Sequence, residues 1–487
     1  MLDFIGLTDA YKFDHRRQYP TGTTRVYSNW TPRSSRIEGQ QAVVFFGLQY
    51  FLIAYLTELA GRTFFGAPLD RVVRNYQRRL DACLGPNQIG TDHIAALHDL
   101  GYMPLEFCAL REGSHVPLRC PMFTVENTVD DFFWVTNYIE TLLSCVVWLP
   151  CTSATTAYRY RKILDHYAAR TGDPSFVDWQ GHDFSFRGMA CPEAAALSGA
   201  GHLLSFTGTD TIPAVELLEN YYGGDGLIGG SVAATEHSVM CAGGKETEID
   251  TFRRLLQLYP SGILSVVSDT WDLWAVLGVL LPELKREILA RDGKLVIRPD
   301  SGDPVKILCG DDAYAAHSSE GRGVVQMLWD VFGGSYNSKG FKVLDPHIGA
   351  IYGDSITELR AREICCRLEA SGFSSTNVVF GIGSFTYQLV TRDVQAFAVK
   401  ATWAKVNGLE YHLFKNPVTD SGVKKSARGR IAVVTDAVGR LSMLDDLSEN
   451  DQALLRDSNL LKPVWKDGKF VASLETLCEI RARVRAG

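Results

Sequence analysis

Apolar and polar positions alternate on a coarse scale through the middle of the chain. Four apolar runs, at 263–269 (ILSVVSD), 295–303 (LVIRPDSGD), 349–355 (GAIYGDS) and 378–384 (VVFGIGS), each end in a tip rich in Asp, Gly or Ser. Unbroken apolar runs of this length predict parallel strands buried on both faces. Helical stretches such as 270–279 and 357–370 separate them. Strand, polar tip and helix in repetition predict a (β/α) barrel, with chemistry at the C-terminal strand ends.

On either side of this region the pattern changes. Residues 43–60 and 131–149 read as largely buried helices, and 105–127 as antiparallel strands turning at 112–114. Residues 155–170 read as a basic amphipathic helix, and 192–206 as a helix begun by Pro-Glu, a favourable first turn. Beyond the barrel, 397–405 and 409–414 flank Asn407-Gly408, a strong hairpin signal. Residues 431–435 and 440–444 read as a second pair. The two ends resemble each other more than they resemble the middle. This predicts a composite α/β domain, with antiparallel sheet, from 1–177 and 389–487, around a barrel domain at 178–388.

The composition bounds what such a molecule does. The chain has 487 residues, 46% hydrophobic and 22% charged, enough for two or three domains with a large core. A net charge of −7 argues against nucleic acid as a partner and requires local basic groups for any anionic ligand. The 11 cysteines contain no CxxC and no zinc spacing, and the adjacent Cys365 and Cys366 suit helix thiols. The N-terminus has neither a basic leader segment nor a long apolar one, and the apolar run 274–281 is far too short to span a membrane. A cytoplasmic protein without membrane association is the expectation.

Several clusters carry candidate chemistry. Arg298-Pro299-Asp300-Ser301-Gly302 stands at a strand end, where Arg binds phosphate bidentately and Asp accepts from sugar hydroxyls. Asp269 and Gly353-Asp354 repeat the idea on neighbouring strands. The segment 381–384 (GIGS) offers backbone N–H groups to a phosphate. His182-Asp183-Phe184-Ser185-Phe186-Arg187 combines aromatics with a cation, suiting an electron-poor ring and an anion, although a core strand with one exposed Arg reads the same way. Glu236-His237-Ser238 is either an acid–base pair or a structural one. Asp210, in GTDT, is either a ligand group or a helix cap. The stretch 415–430 gathers Lys415, Lys424, Lys425, Arg428 and Arg430 as an anion funnel, with Arg392 and Lys400 upstream; a solvated charged loop is the plain alternative.

These segments, in order, resemble the nicotinamide phosphoribosyltransferase family. The resemblance runs from TDAYKFDHRRQYP near the start through FFGLQYFL, FTVENT, HDFSFRG, FTGTDT, EHS, SVVSD, IRPDSG, YGD and VTRD to FKNPVTD. It implies a type II phosphoribosyltransferase: a TIM-like α/β barrel plus an α/β domain built from both chain ends. It implies transfer of phosphoribosyl from phosphoribosyl pyrophosphate to nicotinamide in NAD salvage, with Mg²⁺, with ATP as an activating co-substrate, and in a homodimer with shared sites. By the same resemblance Phe184 and Tyr11 sandwich the nicotinamide ring, Tyr11 and Asp9 coming from the partner subunit. Asp210 accepts from the carboxamide. Arg187, His237 and Arg298 bind pyrophosphate, and Asp269 supports the same end. Asp300 and Asp354 hold ribose hydroxyls. Gly353, Gly383 and Ser384 lie near the nucleotide phosphate, Ser384 replacing the family's Gly. Arg392, Lys400, Lys415 and Lys424 complete the phosphate site. His237 matches a histidine that ATP phosphorylates, and its neighbour Glu236 is expected to orient the imidazole. A nicotinate or quinolinate enzyme, for which a cation in place of Asp210 would argue, and a non-catalytic barrel-derived protein are the alternatives.

Overall fold

The apolar runs pair edge to edge. In the computed structural model, which describes residues 2–223, 226–415 and 427–487, seven strands form one sheet in the order Gly208–Thr209, Gly181–Asp183, Val378–Ile382, Ile348–Tyr352, Asp292–Arg298, Ser261–Val267, Ala233–Ala234. Every pairing is parallel. The register sets Ile297 beside both Val266 and Ala350. Leu264, Val266, Leu295, Ile297, Ile348, Ala350, Val378 and Phe380 are all buried in one cluster, as both-face burial of a parallel sheet demands. Returning helices such as Glu358–Ala370, capped by the Thr357 side chain on the Arg360 N–H, cover the strands.

The fold is therefore α/β with a parallel sheet, but the described strands do not make the complete (β/α) barrel that the pattern predicts. Both outermost strands are two residues long. Gly208, Gly229 and Gly230 lie there, and glycines weaken a strand because they have no side chain to pack. An isolated parallel bridge, Gly208 to Gly230, is the link between these edges.

The chain separates into two units, one of residues 153–219 and 225–390, the other of 1–152, 220–224 and 391–487. The first boundary falls at 152/153 rather than at the expected 177/178. The cause is a helix. Residues 140–171, expected as parts of two helices, form the single helix Glu140–Thr171, with Pro150 inside it. Its later part, Ala157, Tyr160, Leu164 and Ala168, packs in the same cluster as the parallel strands.

In the other unit, strands from both chain ends interleave. The order is Leu409–His412, Phe397–Val406, Thr23–Pro32, Phe123–Asn127, Leu105–Ala109, Lys462–Lys466, Lys469–Phe470, antiparallel throughout. Asn407 (φ 51°) and Gly408 (φ 76°) make the turn between the first two, both left-handed as a tight hairpin requires. Residues 43–60 are not one helix: Ala42–Val44 is a strand, and helical structure starts at Leu48.

Two members of the expected anion funnel are otherwise engaged. Arg430 is buried, bonded to both carboxylate oxygens of Glu126 at 3.0 and 2.6 Å. Its guanidinium lies 4.6 Å from the Tyr27 ring and 4.7 Å from that of Trp403. Planar, delocalised charge tolerates such an aromatic slot where an ammonium would not. Arg428 pairs with Asp446. Lys424 and Lys425 lie outside the described residues.

Removing the buried cation leaves Glu126 as an uncompensated charge. Arg430→Ala should therefore cost about 3–5 kcal/mol in chemical denaturation of the full chain. A loss under about 1 kcal/mol would show the pair to be a surface-like bridge.

Candidate active site

Strand ends deliver the polar residues to one end of the parallel sheet. Phe184 follows strand Gly181–Asp183, and its N–H donates to Ile382 O at 3.0 Å. Its ring lies so close to the neighbouring strand that a Cβ on Gly381 would meet it at 2.5 Å. Gly381, read from the sequence as a phosphate-loop residue, is thus needed to seat an aromatic ring. The Arg298 guanidinium stands 5.8 Å from that ring.

Asp210 sits beside it. Its Oδ1 accepts from His182 Nε2 at 3.0 Å and from the Ser231 hydroxyl. Burial pushes this carboxyl up, but His182, Ser231 and Arg298 outweigh it and hold it below the ordinary aspartate range. The loop carrying Asp210 is fixed from below by His202, which bridges Tyr387 Oη at 2.7 Å and Gly208 O at 3.0 Å. Burial brings His202 down to about 4, so it serves as a neutral bridge. His182 and Ser231 were not singled out from the sequence. His182 stood in a motif read for its aromatics and its Arg, and Ser231 lies in a Gly-rich turn that carries no signal.

Three further aspartates meet at the next strand ends. Asp269 Oδ2 accepts from the Asp300 N–H at 2.9 Å and from the Ser301 hydroxyl, so Asp269 shapes the loop that carries Asp300. A Cβ on Gly353 would strike Asp300 Oδ1, which explains this glycine. Asp354 accepts from Ser355 Oγ at 2.8 Å. Burial raises Asp300; Arg298 and His237 oppose the shift, and the charges of Asp269 and Asp354 add to it.

His237 begins helix His237–Cys241. Its Nδ1 is 3.1 Å from Thr270 Oγ1, and its Nε2 is 4.0 Å from Asp300 Oδ2. Glu236 does not orient it. The Glu236 carboxylate takes the Ser238 hydroxyl instead, from the extended position just before the helix. Arg187 is exposed on the turn Phe186–Gly188. A Cβ on Gly188 would strike Ser384, so this turn lies against Gly383-Ser384.

A cavity of about 370 Å³ connects this end with the interior of the sheet. His182, Phe184, Asp210, Ser231 and Arg298 line one end of it, and Lys294, Ile348 and Asn377 line it near the strand beginnings. Ser265, Gly349 and Ala350 face it with small side chains, where a filled barrel carries large ones.

The other unit holds the remaining candidates. Asp9, Tyr11 and Arg392 share a cavity of about 260 Å³. Asp9 Oδ2 accepts from Thr141 Oγ1 at 2.6 Å and from Tyr11 Oη at 3.2 Å, and Tyr11 is 58% exposed. Lys400 is lowered by burial and, against Glu140, by the nearby cations Arg33, Lys415 and Arg392. Arg33 joins this cationic group without any motif to announce it. Lys424 lies outside the described residues.

Residues 179–469 match the Nicotinate phosphoribosyltransferase (NAPRTase) family, and residues 3–100 match the Nicotinamide phosphoribosyltransferase, N-terminal domain. The chain is 50% identical over 493 residues to a protein of Acinetobacter baylyi called nicotinamide phosphoribosyltransferase, covering 99% of this chain and 96% of that one. A protein of the same description from Mycoplasma pneumoniae is 35% identical over 442 residues, covering 87% and 94%. The solved nicotinate-nucleotide pyrophosphorylase of Pyrococcus furiosus covers 99% of this chain and 95% of its own at a TM-score of 0.59 and 14% identity, a likeness of fold.

The acidic cluster has a stability consequence. Asp300 has a folded-state pKa above its unfolded one, so its charge costs nothing below the unfolded carboxylate range. The cost appears as pH rises from there through the folded value. Asp300→Asn should raise the melting temperature at pH 7 and lose that advantage near pH 3, where the wild-type carboxyl is protonated in both states. An unchanged or lower melting temperature at pH 7 would show that Asp300 is not held at a cost.

Proposed function

The chain belongs to the nicotinamide phosphoribosyltransferase family, and from that premise we propose that its parallel-sheet site transfers phosphoribosyl from phosphoribosyl pyrophosphate to nicotinamide. The products are nicotinamide mononucleotide and pyrophosphate, a step of NAD salvage. One observation carries the choice of base: the carboxylate of Asp210, held ionised, stands beside the Phe184 ring in one cavity. An ionised carboxylate accepts from the N–H₂ of a carboxamide and opposes a second carboxylate. Nicotinate or quinolinate would need a cation there.

The pyridine nitrogen attacks the anomeric carbon, a C–N bond forms, and the C–O bond to pyrophosphate breaks. The ring nitrogen has a free lone pair, so no general base is required. Charge builds on the leaving group and on the ribose ring in an oxocarbenium-like transition state. Arg298, Arg187 and His237 meet the leaving group's charge, and Asp300 and Asp354 hold the ribose hydroxyls; positioning and electrostatics carry the rate. Asp269 acts through the Asp300 loop. Ser384 lies against the Arg187 turn, and Gly353, Gly383 and Ser384 would take the nucleotide phosphate.

Mg²⁺ fits this donor set. Among the described residues no three acidic, His or Cys side chains form a cage for a metal. Mg²⁺, however, is commonly held by one or two carboxylates together with substrate phosphates, and Asp300 and Asp354 are hard-oxygen donors of that kind. Bound there, the ion would neutralise pyrophosphate charge. ATP enters through His237: an imidazole nitrogen takes the γ-phosphoryl group, an N–P bond forms, and ADP leaves. Thr270 and Asp300 are the groups that orient this ring.

The reading extends to a TIM-like barrel completed around the parallel sheet, and to a cytoplasmic homodimer. Among the described residues no single helix is long and apolar enough to cross a membrane. In the dimer Asp9, Tyr11, Arg392, Lys400, Lys415 and Lys424 would serve a site shared with the partner.

Three experiments test this reading. With phosphoribosyl pyrophosphate and Mg²⁺, the protein should form mononucleotide from nicotinamide and much less from nicotinate, faster when ATP is present. The wild type should carry acid-labile phosphate after exposure to ATP, and His237→Ala should not. No product from nicotinamide sinks the function, and equal labelling removes His237 as the acceptor. For the shared site, inactive Tyr11→Ala and Phe184→Ala chains should regain activity when mixed, because one hybrid site then has both rings. No recovery despite demonstrated subunit exchange argues for a site within one chain.

A further inference from the structure

We propose that His182 is the positioning residue that sets base selectivity: its Nε2–H and the Ser231 hydroxyl together pin Oδ1 of Asp210, leaving Oδ2 as the acceptor for the carboxamide. The inference rests on the reading above and names the residue that makes Asp210 selective.

The geometry supports each part. His182 is 8% exposed, and its Nε2 lies 3.0 Å from Asp210 Oδ1. A carboxylate only accepts, so Nε2–H is the donor in this contact. Ser231 donates to the same oxygen. Among the described residues no hydrogen bond reaches Oδ2, although the Asp210 side chain is 43% exposed and lines the cavity. Two donors on one oxygen prevent the carboxylate from turning over. The Asp210 N–H, donating to Asp183 O at 3.0 Å, fixes the backbone beneath it. The His182 ring also lies 4.6 Å from the Phe184 ring, so one imidazole touches both the surface that takes the base and the group that selects it.

The donors have a second effect. Burial alone would favour a protonated Asp210, and a protonated acid donates to a carboxylate as readily as it accepts from an amide. His182 keeps Asp210 in the form that only accepts. Losing the donor therefore weakens rejection of nicotinate, not merely binding of nicotinamide. A histidine that only fills space would lower turnover of both bases by the same factor.

Two amide replacements separate these cases. Glutamine places its N–H₂ near the position of Nε2, while asparagine is too short to reach Asp210. The ratio of kcat/KM for nicotinamide over nicotinate should fall roughly tenfold in His182→Asn, a shift of about 1.4 kcal/mol, and stay near wild type in His182→Gln. His182→Phe, which keeps a ring but has no donor, is a second donor-less variant and should show the same fall. Melting curves identify the folded variants, and either donor-less variant suffices. An unchanged ratio in a folded donor-less variant overturns the proposal, as does an equal fall in His182→Gln. Wild-type protein that shows no preference for nicotinamide overturns the underlying reading instead, so the two failures are distinguishable.

Discussion

One cation, Arg298, holds the polar end of the parallel sheet together. It ends strand Asp292–Arg298, and its carbonyl receives the Ser268 N–H at 3.0 Å, which locks it to the neighbouring strand end. From there the guanidinium acts in three directions. It lowers Asp210, it opposes the upward push on Asp300, and it stands over the Phe184 ring. Without it, burial and the charges of Asp269 and Asp354 would push the Asp300 carboxyl further up. Its own Nε is buried and has no protein partner among the described residues. In the proposed phosphate site, an anionic substrate would bring acceptors to this guanidinium.

A second constraint is close approach. Gly381 makes room for an aromatic ring and Gly353 for a carboxylate. Both clear space for side chains from a neighbouring strand end, where parallel register brings backbones close. Separately, Ser265, Gly349 and Ala350 line the cavity inside the sheet with little side-chain bulk. Small residues here give up packing energy for space, the usual exchange at a binding site.

Much of this was legible in the sequence. The four apolar runs are strands, and their tips carry Asp269, Arg298, Asp300, Asp354 and Gly383, because both-face burial writes itself as unbroken hydrophobicity. The Asn407-Gly408 hairpin was equally plain. What failed to read depends on three-dimensional neighbours. Residues 131–149 and 155–170 read as two helices, yet Glu140–Thr171 is continuous, with Pro150 inside it. Arg430 looked like part of a basic loop, but Tyr27, Trp403 and Glu126, all distant in sequence, enclose it. Glu236 looked like a partner for His237 by adjacency, whereas Thr270 and Asp300 come from other strand ends. Ser231 on Asp210 belongs to the same class: the contact exists only once two loops are folded together.

The central claim is that an ionised Asp210 selects an amide over a carboxylate. The most direct measurement is the ratio of kcat/KM for nicotinamide over nicotinate in Asp210→Asn beside wild type. Placing like charges face to face costs several kcal/mol, so neutralising this side chain should lower the ratio by roughly 10- to 100-fold, chiefly through a gain on nicotinate. A ratio that stays at the wild-type value in a folded, active Asp210→Asn protein would contradict the account.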